Sequence, residues 1–368
     1  MKKVGIITVT GGLNLGNSLQ NYALQKFLSD MNIDSYTILD KKYCLSKPFM
    51  WKTFLKYNFF KRLIALTFNL RGYRDTLLDG LRRQENYLLF NKNIKFAESF
   101  FEGDTFIKKE EYDFFIVGSD QVWNPNFKIL DKMFLNFTDS QKKISYAASM
   151  GCENLTKKQK LLFRNKLKDF KAISVRENKA KDLLKEVLPQ KHIEVLVDPT
   201  LLLSIEKWKI VEKKPNWEVP KNYILTYFLG DISDELRSLI KRFLVDKNLK
   251  IINILDKNNN DWYKIGPSEF LYLVRNADYV ITDSFHGTVF SIIMKKQFMV
   301  IKRKLGKEGN MISRIDTLLT LFGLKEHLMS ECTYKEINKI LDYDNKNIDE
   351  IIKIEQMRAI KFLEKALS

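Results

Sequence analysis

No apolar run in this chain of 368 residues is long enough to cross a bilayer. The run Val4–Val9 after Met1-Lys2-Lys3 is too short for a signal-peptide core and ends at Gly11-Gly12, so it reads as a first β-strand. Cysteine is scarce. Cys44, Cys152 and Cys332 are widely separated and odd in number, which argues against a disulfide framework and against a zinc site. A reduced, cytoplasmic protein is expected. No cluster of metal-ligating residues occurs, so no metal is expected either. There is no solenoid-period repeat, no low-complexity linker and no nucleic-acid recognition signature, and nucleic acid is not an expected partner.

What is present is a globular composition, 45% hydrophobic and 12% aromatic, long enough for about two domains. The formal net charge of +17 favours anionic partners: nucleic acid, an acidic membrane surface or phosphorylated substrates. Strand-like runs alternate with helical patterns twice along the chain, which predicts an α/β fold of two Rossmann-like domains facing a cleft. The first domain is read as 1–205, with a helical insertion at about 41–110. The second is read as 206–345, and a terminal helix as 346–368. Trp208 to Lys221, with Pro215, Trp217 and Pro220, breaks the pattern and reads as the connection between domains. Short strands are also expected at Phe134–Phe137, Lys143–Ala147, Ala172–Val175 and Glu194–Val197.

The stretch Tyr279–Ser291 is the expected reaction centre. Asp278–Thr282 reads as a buried strand and Val289–Met294 as the apolar face of a helix starting near Thr288. Asp283 or Ser284 can cap that helix, whose first N–H groups then face outward beside His286. Such an elbow suits a phosphate or a carboxylate. A capped helix with a half-buried histidine is the plainer reading.

Three other stretches stand at expected strand ends, where open α/β sheets bind ligands. After Val4–Val9 comes a glycine-bearing loop that does not match G-x-G-x-x-G, followed by a helix from about Ser18 to Met31. It can bring the Asn14 and Asn17 amides, and Gln20 beyond them, to a sugar or phosphate, or it is a structural turn. After Tyr112–Val117, Asp120 and Gln121 can bond sugar hydroxyls and Trp123 can stack on a sugar face; Trp123 as core filler is the weaker reading. Arg176 follows Ala172–Val175. Finally, residues 41–74 hold nine lysines and arginines, no acidic residue and many aromatics. Such a segment can lie on an anionic membrane, but helices covering a sheet are also aromatic on one face, and that reading is preferred.

Taken in order, Gly12–Gln25, Val117–Pro125, Ser145–Gly151, Ser174–Glu177, Val197–Leu201 and Thr282–Thr288 resemble the polysaccharide pyruvyl transferase family. The resemblance implies a fold like that of the two-domain GT-B glycosyltransferases. It also implies phosphoenolpyruvate as donor and a sugar, lipid-linked or polymeric, as acceptor, joined as a cyclic ketal with no cofactor. The first domain would take the acceptor and the second the donor phosphate; a peripheral place at the inner face of the cytoplasmic membrane is the alternative that the basic segment 41–74 opens. Some family members have an arginine where this chain has Ser284, so Arg176, Arg275, Lys302 or Arg303 would have to supply that cation. On this reading His286 is phosphate ligand and general acid, Asp120 the base, and Asp283 an alternative partner that orients His286. Ser284, Gly287, Thr288, Arg176, Arg275 and Arg303 hold the donor, and Asn14, Asn17, Gln20, Gln121 and Trp123 the acceptor. The rival readings are a nucleotide-sugar glycosyltransferase and a non-catalytic protein that binds an anionic surface.

Overall fold

Short apolar runs buried on both faces read as parallel strands, and the chain forms two such sheets. The structure is a computed structural model that describes residues 1–10, 13–39, 71–102, 105–106, 108–127, 131–303, 312–330, 333–341 and 347–368, without the side chains of 71–79, 81 and 260. Most of the basic aromatic segment, 41–70, lies outside the described residues, so its membrane or packing role is not addressed by the fold.

The first sheet contains β1 (Lys3–Ile7), β2 (Asp34–Thr37), β3 (Phe114–Val117), β4 (Lys143–Ala148), β5 (Ala172–Val175) and β6 (Ile193–Val195) in the order β2-β1-β3-β4-β5-β6. The second contains β7 (Tyr223–Tyr227), β8 (Lys250–Ile254), β9 (Tyr279–Thr282), β10 (Gln297–Ile301) and β11 (Leu328–Met329) in the order β11-β10-β9-β7-β8. Every pairing is parallel. In both sheets the strand order reverses beside the first strand, between β1 and β3 and between β7 and β9. The crevices at the carboxyl ends of those pairs are where such sheets take ligands.

The helices are α1 (Leu15–Asp30), α2 (Arg71–Asn91), α3 (Lys157–Leu167), α4 (Asn178–Val187), α5 (Ile205–Lys209), α6 (Asp234–Asp246), α7 (Asn260–Tyr263), α8 (Pro267–Asn276), α9 (Phe285–Ile293), α10 (Ile312–Leu321), α11 (Tyr334–Ile340) and α12 (Ile348–Leu367). One core runs between the sheets, joining α1, α8 and α9, and two others cover the outer faces. Its centre is an aromatic seam: Trp208 of α5 lies 5.7 Å from Tyr22 of α1 and 5.0 Å from Phe290 of α9, ring centre to ring centre. Each fully buried large apolar side chain in such a seam contributes about 1.5–3 kcal/mol. The seam therefore fixes the N-termini of α1 and α9 relative to each other.

Helix α12 returns to the first sheet. Gln356 Nε2 donates to the Leu202 carbonyl at 3.1 Å, Arg358 to that of Val195 at 2.9 Å, and Phe362 packs on Tyr146. Three expectations are corrected. Residues 134–137 are not a strand: a 3₁₀ turn spans Asp131–Phe134 and Leu135 has φ 52°, which breaks extended pairing. Helix α1 begins at Leu15 rather than Ser18, because Asn14 caps it. Helix α9 begins at Phe285 rather than Thr288, because Ser284 caps it.

Candidate active site where two helix N-termini meet

The elbow after β9 is built by hydroxyls. Thr282 Oγ1 donates to the Tyr227 carbonyl at 2.6 Å and accepts the Ser284 N–H at 3.0 Å. Ser284 then caps α9, its Oγ accepting the Gly287 N–H at 3.3 Å. Gly287 is required here, since a Cβ on it would lie 2.5 Å from Thr282 Oγ1. The turn puts His286 in the first turn of α9, before the first intrahelical bond from Thr288 to Ser284.

His286 reaches across to the first turn of α1. A Cβ at Gly16 would stand 2.0 Å from His286 Nδ1, so the imidazole lies directly on the Gly16 backbone. On its other side, Nε2 is 3.7 Å from Asp198 Oδ2, too far for a hydrogen bond but within ion-pair range. Nε2 is buried and has no hydrogen-bond partner.

Asp198 organises the charges beneath. Its Oδ1 accepts the Thr200 N–H at 3.1 Å and hydroxyl at 2.7 Å, and its Oδ2 accepts Arg176 at 2.5 Å and Ser119 Oγ at 3.0 Å. Burial alone would raise its pKa, but His286, Arg176 and Thr200 outweigh burial and hold it far below the usual carboxylate range. It is a fixed negative charge. Arg176 also reaches Asp120 at 3.4 Å and lies 4.2 Å over the Phe285 ring. Burial disfavours its charge, yet Asp198, Asp120 and Glu177 raise its pKa overall. Its Nε has no partner. Glu177 faces away, accepting the Met150 and Gly151 N–H groups at 2.8 and 3.0 Å. Asp120 has a left-handed backbone, φ 66°, in the loop that follows β3.

A family model, polysaccharide pyruvyl transferase, matches residues 14–304. The chain belongs to that family. Among solved structures it is similar to a UDP-GlcNAc 2-epimerase from Methanocaldococcus jannaschii in complex with UDP-GlcNAc and UDP, at 16% identity over 96% of this chain and 99% of that one, TM-score 0.47. It is also similar to S. aureus MnaA with UDP, at 12% identity over 100% and 97%, TM-score 0.49, and to Acinetobacter baumannii MurG, at 9% over 99% and 100%, TM-score 0.41. No curated protein matches it.

In this pyruvyl transferase family member the structure gathers His286, Arg176, Asp120, Ser284 and Gly287 at one place. Asn14 and Asn17 sit at the start of α1 nearby, Asn14 Oδ1 accepting the Asn17 N–H at 3.3 Å. Gln121 is half-buried and accepts Asn124 Nδ2 at 2.5 Å. Other expected roles are corrected. Trp123 is wholly buried, its Nε1 donating to the Met133 carbonyl at 2.9 Å, so it fills the core and cannot stack on a sugar. Gln20 is wholly buried and joins Thr8 Oγ1 at 2.9 Å to the Ser119 N–H at 3.1 Å; it is a brace between loops. Thr288 donates its hydroxyl back to the Ser284 carbonyl. Asp283 does not orient His286: it accepts the N–H groups of Leu229 and Gly230 and pairs with Arg303 at 3.0 Å. That contact also occupies Arg303. Arg275 sits in the last turn of α8, remote from the elbow, in a two-bond pair with Glu212 at 2.7 and 2.5 Å.

Sequence reasoning gave no role to Gly16, Ser119, Asp198 or Arg314. The first three lie within or beside the family phrases, and Asp198-Pro199-Thr200 after a strand is a signal of the same kind as Arg176 after β5. Arg314 carries no such signal. Among the described residues no group of acidic, histidine and cysteine side chains is arranged to hold a metal, and no helix is long and apolar enough to cross a membrane.

Proposed function

We propose that the protein transfers the pyruvyl group of phosphoenolpyruvate to two hydroxyls of one sugar in a cell-surface polysaccharide or its lipid-linked precursor, forming a cyclic ketal. The observation that carries this reading is the pair of unpartnered buried nitrogens, His286 Nε2 and Arg176 Nε, beside the capped N-terminus of α9. A buried guanidinium and an imidazole next to a helix N-terminus suit a donor that bears both a phosphate and a carboxylate.

The chemistry needs a proton on the methylene carbon of the enol, which leaves positive charge on the neighbouring carbon. A sugar hydroxyl bonds there and loses its proton to a base. The carbon–oxygen bond to phosphate breaks, a second hydroxyl takes its place and gives its proton to the phosphate, and inorganic phosphate departs. His286 is the acid: protonated, it has Asp198 as counter-charge and Gly16 as a floor that fixes the ring. Asp120 serves as base in preference to Asp198. Asp198 accepts four hydrogen bonds, whereas Asp120 has one long contact, at 3.4 Å, and keeps lone pairs for an acceptor hydroxyl. The N–H groups opening α9 and Arg176 stabilise charge on the departing phosphate.

The test is titration calorimetry with phosphoenolpyruvate and with UDP, followed by mass spectrometry of sugar and lipid-linked acceptors incubated with phosphoenolpyruvate. Binding of phosphoenolpyruvate, phosphate release and the mass gain of one pyruvyl ketal are expected. Tight binding of UDP with none of phosphoenolpyruvate would replace this reading with a nucleotide-sugar transferase.

A further inference from the structure

Helix α10 lies beyond the family-matched span and brings Arg314 to the site from the second half of the molecule. Its side chain is only 7% exposed, yet it forms no hydrogen bond or ion pair with the described residues, and its Nε is buried without a partner. The guanidinium lies 5.8 Å from the centre of the Phe285 ring, the ring that also carries Arg176 at 4.2 Å. Two buried guanidinium groups from opposite halves of the molecule thus share one aromatic ring. Arg176 has two carboxylate partners, and Arg314 has none.

A buried charge is normally paired, because leaving it unpaired costs several times what a surface charge costs. Burial and the neighbouring Arg176 push the Arg314 pKa down to about 10, despite Asp120 and Glu177 nearby. The group is still charged at neutral pH. The surroundings therefore hold a cation they do not themselves satisfy. Helix α10 is fixed in place from outside the site: its Thr317 Oγ1 accepts the Asn178 N–H of α4 at 3.2 Å. Ser284, the cap of α9, is uncharged, so the cap itself supplies no cation.

We infer that Arg314 is an anion-binding residue that grips an oxyanion of the donor together with Arg176 Nε, across the edge of Phe285. The donor's identity rests on the reading above, but the oxyanion site does not. Because the two arginines come from different halves, one anion between them also ties the halves together.

The experiment measures binding of phosphoenolpyruvate, pyruvate and inorganic phosphate to the full-length wild type, Arg314→Gln and Arg314→Lys, with the melting temperature of each ligand-free protein. Loss of a charge-assisted bond should weaken phosphoenolpyruvate binding about 10–100-fold in Arg314→Gln. Lysine should restore part of it, and the ligand-free melting temperature of Arg314→Gln should not fall. Pyruvate and phosphate show which end of the donor is held, by which of the two loses affinity. If the wild type binds phosphate but not phosphoenolpyruvate, and Arg314→Gln loses the phosphate, the site stands and the donor reading falls. Unchanged affinity for all three anions in Arg314→Gln overturns the inference. So does a wild type that binds none of them, or a melting temperature that drops equally in both variants together with binding.

Discussion

The two halves of the molecule build their shares of the site by different means. The first half contributes formal charges at strand ends: Asp120 after β3, Arg176 after β5 and Asp198 after β6, linked by contacts of 2.5 and 3.4 Å. The second contributes a helix terminus, a capping hydroxyl and an imidazole, with Asp283 and Arg303 used only to hold the loop after β7. A charge network is rigid because each member satisfies another, and its cost of burial is met at folding. A helix terminus is left open by construction, because its first N–H groups have no partner of their own. The first half thus brings interlocked charges at strand ends, and the second half brings an open helix terminus, His286 and the Arg314 guanidinium to the same place. Gly16 and His286 are where the two meet.

The sharpest way to break this division is at His286. His286→Ala should lower kcat by about 10²–10⁴-fold, since it removes a proton donor, while acceptor binding changes little. His286→Gln should keep donor binding better than alanine and still turn over poorly. A folded His286→Ala with near-normal kcat would reduce the histidine to a neighbour of the cap.

Next comes the charge network, read as stability. Asp198→Asn leaves Arg176 buried without its main partner and should cost about 3–5 kcal/mol in denaturant unfolding. The pH dependence has a definite sign. The folded pKa of Asp198 is held far below its unfolded value of about 3.9, so its contribution is complete above that value and lost as pH falls through lower values. The gap between wild type and Asp198→Asn should be constant above about pH 5 and should narrow below about pH 4. A gap independent of pH down to acid unfolding contradicts a fixed charge at this position.

Gly16→Ala probes the meeting point itself. Alanine favours a helix over glycine by about 1 kcal/mol, but crowding a buried ring costs about 1–3 kcal/mol, so stability should hold or fall slightly. The new Cβ would occupy the place of the imidazole and displace it, so kcat should fall by up to about 100-fold. Equal activity with unchanged stability would separate His286 from the α1 floor. The smallest effect belongs to the site's discarded candidate: Arg275→Ala breaks a partly exposed pair with Glu212 and should cost under about 1 kcal/mol, with kcat unchanged.

The elbow was legible in the sequence because each of its parts is local: an apolar strand, a capping hydroxyl, a glycine and an apolar helix within a dozen residues. The two-sheet fold was legible for the same reason, repeated along the chain. What failed was the direction of side chains. Trp123 and Gln20 stand in ligand-rich phrases, yet both point inward, and only the packing of β3, β4 and α1 decides that. Arg275, Arg303 and Arg314 look alike in the sequence. One forms a half-buried pair with Glu212, one clamps a loop and one is buried beside Phe285, because their partners come from segments distant along the chain. Asp198 was within a family phrase, but its meaning depends on Arg176 and His286, 22 and 88 residues away.

Helix α12 has a consequence for how the molecule is made. It is seated on the first sheet by Arg358, Gln356 and Phe362, and Lys2 reaches the Leu367 carbonyl. During synthesis the strands of the first sheet emerge early, but this part of their cover is the last described element to leave the ribosome. Until then Tyr146 lacks its Phe362 neighbour, and the carbonyls of Val195 and Leu202 lack their side-chain donors. The second half meets α12 at its first turn, where Lys295 pairs with Asp349 at 2.5 Å. The sheet that is translated first therefore waits longest for this cover, and a nascent chain stalled before α12 should expose the first sheet around Tyr146 to chaperones.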